Sequence, residues 1–335
     1  MKKTLISAFF TFITVFTLYS QHYTQDILGG NFLRHTIELS DDYEGEVIAT
    51  LVKYNDTLRV SSQKAILYLH GFNDYFFQSE LAEDISKNGI DFYALDLRKY
   101  GRSLLSHQKR YNAREMSEYF EDIDAAIDII KGEGHDSIYL MGHSTGCLTA
   151  TLYTHDHDKG KNINGLILNS PFFQQNQGWF NQYIGIPLVS LISYAFPNVE
   201  FEQAYSTAYT QSLHKKYSKE WDYDLELKLE SSPAVTYSWL RAIYNGQNRI
   251  KEIKNMPIPV VVMHSDKSTS DTKYSSNYDN SDAVLDVADM DKHARNMGKN
   301  VEVIVIKNAL HDIALSRKDV REKYYQEIHN FLIKH

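Results

Sequence analysis

Gly142-His143-Ser144-Thr145-Gly146 is the segment whose residue types and spacing can do chemistry. A serine hydroxyl is a poor nucleophile at neutral pH, so it has to be presented on a sharp turn where a base can reach it. Here an apolar strand-like run, Ser137 to Met141, precedes the segment and a helix-like stretch, Cys147 to Thr154, follows it. The flanking glycines leave room for a strand-to-helix elbow with Ser144 at its tip.

A nucleophile of this kind needs a base, an acid to orient the base, and donors for an oxyanion. In the elbow architecture these follow along the chain in the order serine, acid, histidine. Of the 14 histidines, His311 lies in Asn308-Ala309-Leu310-His311-Asp312, directly after the strand-like run Val301–Lys307, and is the expected general base. Two acids precede it. Asp266 follows the run Ile258–His264 at once. Asp282 lies beyond a polar loop, in a turn with Val284 and Leu285 behind it, 29 positions before His311. The turn and the spacing favour Asp282, with Asp266 as the alternative acid. The segment His70-Gly71-Phe72 follows another strand-like run, and the amides of Phe72 and Thr145 are the expected oxyanion donors.

The elements that would hold these residues alternate along the chain. Strand-like runs at Val47–Val52, Ile66–His70, Ile90–Leu95, Ser137–Met141 and Ile163–Asn169 are separated by helical periodicity over Phe77–Lys87, Ala113–Lys131 and Thr145–His155. The alternation resumes with Ile258–His264, Val287–Met297, Val301–Lys307 and Val320–Ile333. Such alternation predicts an α/β fold, a mostly parallel sheet with helices on both faces. Residues 171–250 break the pattern with four prolines and the apolar stretch Tyr183–Phe196, and they read as an inserted helical cap over the carboxyl ends of the strands. The organisation expected is therefore a signal peptide over 1–20, a leader over 21–44, a core in two parts over 45–170 and 251–335, and the cap between them. The cap aromatics Phe172, Phe173, Trp179, Phe180, Tyr183 and Trp239 are expected to line an apolar pocket, and the Tyr183–Phe196 stripe to serve as cap core, substrate channel or membrane-resting face.

The 335 residues carry a formal net charge of −8, which argues against nucleic acid or an anionic membrane surface as the main partner. Lys2-Lys3 precedes an uncharged apolar run from Thr4 to Leu18, shorter than the roughly 20 residues a spanning helix needs, and export with cleavage near Ser20 is expected. Leu18 stands where a small residue is preferred before such a cut, so an uncleaved anchor is the alternative. The single cysteine, Cys147, excludes an internal disulfide and reads as a small buried helix residue. His155-Asp156-His157-Asp158 reads as a solvated helix terminus rather than a metal site, and no metal or cofactor is expected.

Taken together, His70-Gly71-Phe72, the segment Leu95-Asp96-Leu97-Arg98-Lys99-Tyr100-Gly101-Arg102-Ser103, the elbow and Ala309-Leu310-His311-Asp312 resemble the α/β-hydrolase branch of monoacylglycerol lipases, lysophospholipases and serine aminopeptidase S33 domains. The resemblance spans about residues 45–335. It implies a capped serine hydrolase without cofactor or metal, most often cleaving carboxylic esters. It departs from many relatives at Lys99-Tyr100, where they have Gly-His, and at the polar loop Ser265–Ser281 before the acid. The expected activity is hydrolysis of a lipid-like or medium-chain acyl ester, with transient membrane-surface contact through the cap. An aminopeptidase would need a cap carboxylate for a free amine, with Glu200, Glu202 and Glu230 as candidates. A third reading is an inactive exported binding module that kept the fold.

Overall fold

The computed structural model describes residues 22–176, 181–204 and 206–335. The expected signal peptide, Trp179 and Phe180 lie outside these. Among the described residues one sheet of nine strands runs through the molecule. Its strands are β1 (Thr24–Gln25), β2 (Phe32–Asp42), β3 (Gly45–Tyr54), β4 (Lys64–Leu69), β5 (Asp91–Asp96), β6 (Ser137–His143), β7 (Ile163–Asn169), and, beyond the short cap pair β8 (Glu200–Phe201) and β9 (Val235–Thr236), β10 (Val260–Ser265) and β11 (Val301–Ile306). The spatial order is β1-β2-β3-β5-β4-β6-β7-β10-β11, antiparallel from β1 through the β3/β5 pair and parallel from there on.

The central strands are continuous apolar runs because both faces are covered. One face packs under α2 (Tyr119–Gly132), α3 (Thr145–Leu152) and α6 (Tyr237–Glu252), the other under α1 (Ser79–Lys87) and α8 (Lys318–Lys334), with the cap elements α4 (Ile186–Ile192) and α5 (Ala208–Leu213) between β7 and β10, and α7 (Val287–Asn296) before β11. α3 is buried along its whole length. Cys147 is fully buried there, its thiol donating to the Gly142 carbonyl, and burial pushes its pKa up, as a packing residue requires.

Three expectations need correction. The expected leader is built into the fold from residue 24 on: β1 and β2 belong to the sheet, and Asp26 accepts two hydrogen bonds from the Arg102 guanidinium, at 2.7 and 2.8 Å. The same Arg102 binds Asp96 at 2.8 Å, Arg98 binds Asp122, and the fully buried Lys99 ammonium reaches Asp42 and Glu44. Asp96 to Ser103 is thus an ion-paired clasp holding the N-terminal hairpin. The cap is also not separate from the core at its end. α6 packs on the cap helix α4 and on α3, and its Ala242, Ile243 and Ile250 lie in the main core, so this one helix joins the cap to the sheet's cover. Finally, two predicted helices are shorter. The stretch from Ala113 turns helical only at a 3₁₀ turn, Met116–Glu118, and α3 gives way at Tyr153 to a wider turn ending at Asp158.

Candidate active site

Ser144 sits between β6 and α3 with φ +53° and ψ −113°, a left-handed conformation that a non-glycine residue adopts only when its surroundings impose it. They do so from both sides. The Ser144 amide donates to the Asn169 carbonyl at 3.0 Å, and the Ser144 carbonyl accepts from the Cys147 and Phe172 amides. The glycines are needed for space. A Cβ on Gly142 would stand 2.7 Å from the Cys147 nitrogen, and one on Gly146 would overlap the Leu69 and His70 carbonyls.

The loop after β11 carries His311 over this turn. Its Nε2 lies 3.0 Å from Ser144 Oγ and its Nδ1 lies 2.8 Å from Asp282 Oδ2. Asp282 is fully buried, and its other oxygen accepts from the Val284 and Leu285 amides, both at 2.8 Å. The polar loop is closed at its base, where the Asp282 amide donates to Lys267 and its carbonyl accepts from Thr269, so the loop leaves and returns to one point ahead of the acid. Asp266 is not brought to the histidine. It is exposed, and its Oδ1 accepts from the Asn308 amide at 2.6 Å, bracing the turn from which His311 projects.

Gly71 lies against the elbow: a Cβ there would meet Ser144 Cβ at 3.3 Å. Phe72, Ser144 and Thr145 all face one cavity of about 340 Å³, walled by Phe172, Ile186, Val189, Trp239, Leu240 and Leu285, with Gln175, Asn176, Asn181, Gln203 and Ser232 among its polar groups. Among the described residues no charged side chain lines it. Of the aromatics expected there, Phe172 and Trp239 do line it, whereas Phe173 is buried in the core. The Tyr183–Phe196 stripe divides. Ile186 and Val189 of α4 face the cavity, while Ile184, Leu188, Leu191, Tyr194 and Phe196 are exposed.

A second buried polar layer lies beneath the serine, and no residue spacing announces it. Asp312, next to His311, accepts from Gln78 and Asn169 side chains at 2.9 and 2.8 Å, and burial holds its carboxyl above the usual range. Asp74, His143 and Asp312 each offer an atom within 4.8 Å of the others, as a cation site would. The positive charge there is the chain's own, the Lys228 ammonium 2.9 Å from Asp74. The His155-Asp156-His157-Asp158 run is not gathered: His157 turns to Asp124, Asp156 to Arg249 and His155, and Asp158 to the Asn162 and Ile163 amides.

Burial, reinforced by the neighbouring His311, pushes the His143 imidazole from 6.5 down to about 3. The unfolded chain takes up a proton here near pH 6.5 and the folded chain only near 3. In that window the unfolded state binds more protons, and stability is lost as pH falls. At pH 4.5 the loss from this residue is expected to reach roughly 2–3 kcal/mol. Urea midpoints at pH 7 and 4.5 measure it, and His143→Gln should narrow the difference. An unchanged difference would assign the acid sensitivity elsewhere.

Residues 61–317 match the family described as serine aminopeptidase, S33. The chain belongs to this family. It is a serine hydrolase with the α/β-hydrolase fold, and the solved structures it resembles share that fold. A soluble variant of monoglyceride lipase from Saccharomyces cerevisiae, crystallised with a substrate analogue, superposes with a TM-score of 0.64 at 17% identity over 98% of this chain and 99% of that one. Est1E from Butyrivibrio proteoclasticus, with ferulic acid bound, gives 0.56 at 15% identity over 89% and 98%. A thermophilic esterase from Thermogutta terrifontis gives 0.56 at 15% over 90% and 98%. No curated protein matches the chain.

Proposed function

We propose that the protein hydrolyses an uncharged carboxylic ester with a medium-length or lipid-like acyl chain, through an acyl-enzyme on Ser144. The observation that carries this reading is the cavity: it opens on Ser144, its walls are apolar, and no charged group among the described residues lines it. An acyl chain is matched by such walls, and a neutral alcohol by the amides and hydroxyl of Gln175, Asn176, Gln203 and Ser232.

In the reaction His311 Nε2 takes the proton of Ser144 Oγ as that oxygen attacks the ester carbonyl. Asp282 holds the Nδ1–H and stabilises the imidazolium. The carbonyl oxygen gathers negative charge against the amides of Phe72 and Thr145. Collapse breaks the C–O bond to the alcohol, which leaves with the proton from His311. Water then repeats the sequence on the acyl-enzyme and releases the acid.

Among the described residues no carboxylate lines the cavity to anchor the free amine that a peptidase would need. Glu200 pairs with Lys109 at 2.9 Å, Glu230 with Lys216 at 2.7 Å, and Glu202 is exposed; none lines the cavity. Export, the second element of the proposal, rests on Lys2-Lys3 and the run Thr4–Leu18. Transient contact of the cap with a lipid surface is the third, supported by the exposed apolar side chains of α4 and its flanks.

The test is a series of p-nitrophenyl esters of increasing chain length, set beside aminoacyl p-nitroanilides. Each methylene buried is worth up to about 0.8 kcal/mol, roughly fourfold in kcat/KM, until the cavity is full. The specificity constant is therefore expected to climb from acetate to medium chains and the anilides to stay uncut. A profile flat or falling from acetate onward would contradict the proposed substrate class.

A further inference from the structure

The turn after β4 carries contacts that the hydrolytic step as described leaves unused. Asn73 directly follows Phe72 and has φ +48°, a left-handed conformation. Its side-chain amide pairs with both backbone groups of a single cap residue, Leu229. Nδ2 donates to the Leu229 carbonyl at 2.8 Å and Oδ1 accepts from the Leu229 amide at 2.9 Å, while the Tyr111 hydroxyl donates to the same Oδ1 at 3.0 Å. Asp74, next in the chain, accepts from Lys228 Nζ at 2.9 Å; both are buried, and the ammonium stands 5.7 to 5.9 Å from the ring centres of Phe77, Tyr209 and Tyr223. The Tyr75 hydroxyl then accepts from the Asp224 amide at 2.9 Å. Three consecutive residues beyond Phe72 are thus held by one cap segment, 224–229.

Apolar packing would seat a lid at least as well as a buried ion pair, because taking two charges out of water offsets much of their attraction. What ion pairs and paired amides add is direction. Here the direction imposed is that of the peptide carrying the Phe72 N–H. On its other side that peptide is bounded by Gly71, whose missing side chain lets it lie against His143 and Ser144.

We propose that Asn73, Asp74 and Lys228 are positioning residues through which the cap sets the oxyanion hole, so that the Phe72 amide is aimed at the reacting carbonyl only while segment 224–229 is docked. The proposal rests on the donor assignment of the proposed function. It makes the cap a part of the catalytic geometry as well as a wall of the cavity.

Two variants of the full chain test it. Asn73→Gly keeps a residue at ease with φ +48° and removes the clasp to Leu229 together with the Tyr111 hydroxyl's acceptor. Lys228→Met removes the ammonium at similar length. Each is expected to lower kcat by about 10- to 100-fold with KM within about twofold, since a donor displaced by a fraction of an ångström fails mainly in the transition state. The discriminating readout is an alkyl trifluoromethyl ketone, which forms an oxyanion on Ser144: its affinity should fall by the same factor as kcat/KM. Folded variants with wild-type kcat overturn the proposal, as does a kcat loss without parallel loss of ketone affinity. If Lys228→Met does not fold, Asn73→Gly, which breaks no charge pair, decides. A wild-type chain without ester turnover would refute the hydrolytic reading itself and this proposal with it; active wild type with unimpaired variants refutes this proposal alone.

Discussion

Ser144→Ala is expected to lose ester turnover by at least about 10⁴-fold while melting within a few degrees of the parent, because the change deletes one hydroxyl and retains the Cβ. The contacts that impose φ +53° on the elbow are backbone ones, to Asn169, Cys147 and Phe172, and alanine keeps them all. A fluorophosphonate probe should label the parent and not the variant. This is also where the binding-module alternative meets its test: an inert fold would leave both unlabelled. Residual turnover above about 1% of the parent, beyond what an oxyanion hole and binding sustain alone, would mean that another group attacks the ester.

The parts of the site that the chain declares openly are those in which a local rule and a chemical need coincide. Ser144 is legible because a nucleophile elbow requires glycine on either side, as the overlaps at Gly142 and Gly146 demonstrate. His311 is legible because it comes directly after the last strand of an alternating series. Asp282 could be read from the apolar pair behind it, whose amides hold Oδ1, although the loop ahead of it hides the strand end it belongs to. The layer of Asp74, Lys228, Asn169 and Asp312 could not be read. It joins residues far apart in the chain whose partners are set by packing, with no spacing to announce them. The same is true of α6. Its apolar stripe predicts a buried face, but only the structure shows that the helix is shared between α3 and the cap helix α4. The N-terminal hairpin is hard to read for another reason. β2 alternates weakly, with only Phe32 and Ile37 buried among exposed and half-buried positions, and its pairing with β3 is reinforced by charges at Asp26, Asp42 and Glu44 that no apolar pattern announces.

The two aspartates separate an acid that acts on the histidine from one that braces its loop, and asparagine at each position should divide them sharply. In Asp282→Asn the Val284 and Leu285 amides still require an acceptor, so the side-chain oxygen remains with them and the new NH₂ faces His311 Nδ1. An NH₂ there makes Nδ1 the acceptor and places the imidazole proton on Nε2, 3.0 Å from Ser144 Oγ, where a base is needed. The histidine can then no longer take the serine proton, and the negative charge that would stabilise its imidazolium is gone as well. Turnover of a saturating p-nitrophenyl ester near pH 7 is expected to drop by about 10⁴-fold, with little change in binding. In Asp266→Asn the side-chain oxygen can still accept from the Asn308 amide, on an exposed turn with no contact to the imidazole, so the loss should stay within about threefold, the scale of one surface hydrogen bond. Measured side by side, the variants test the geometry against its own alternative: if Asp266→Asn were the inactive one, the 2.8 Å contact between Asp282 and His311 would not be the one that orients the base.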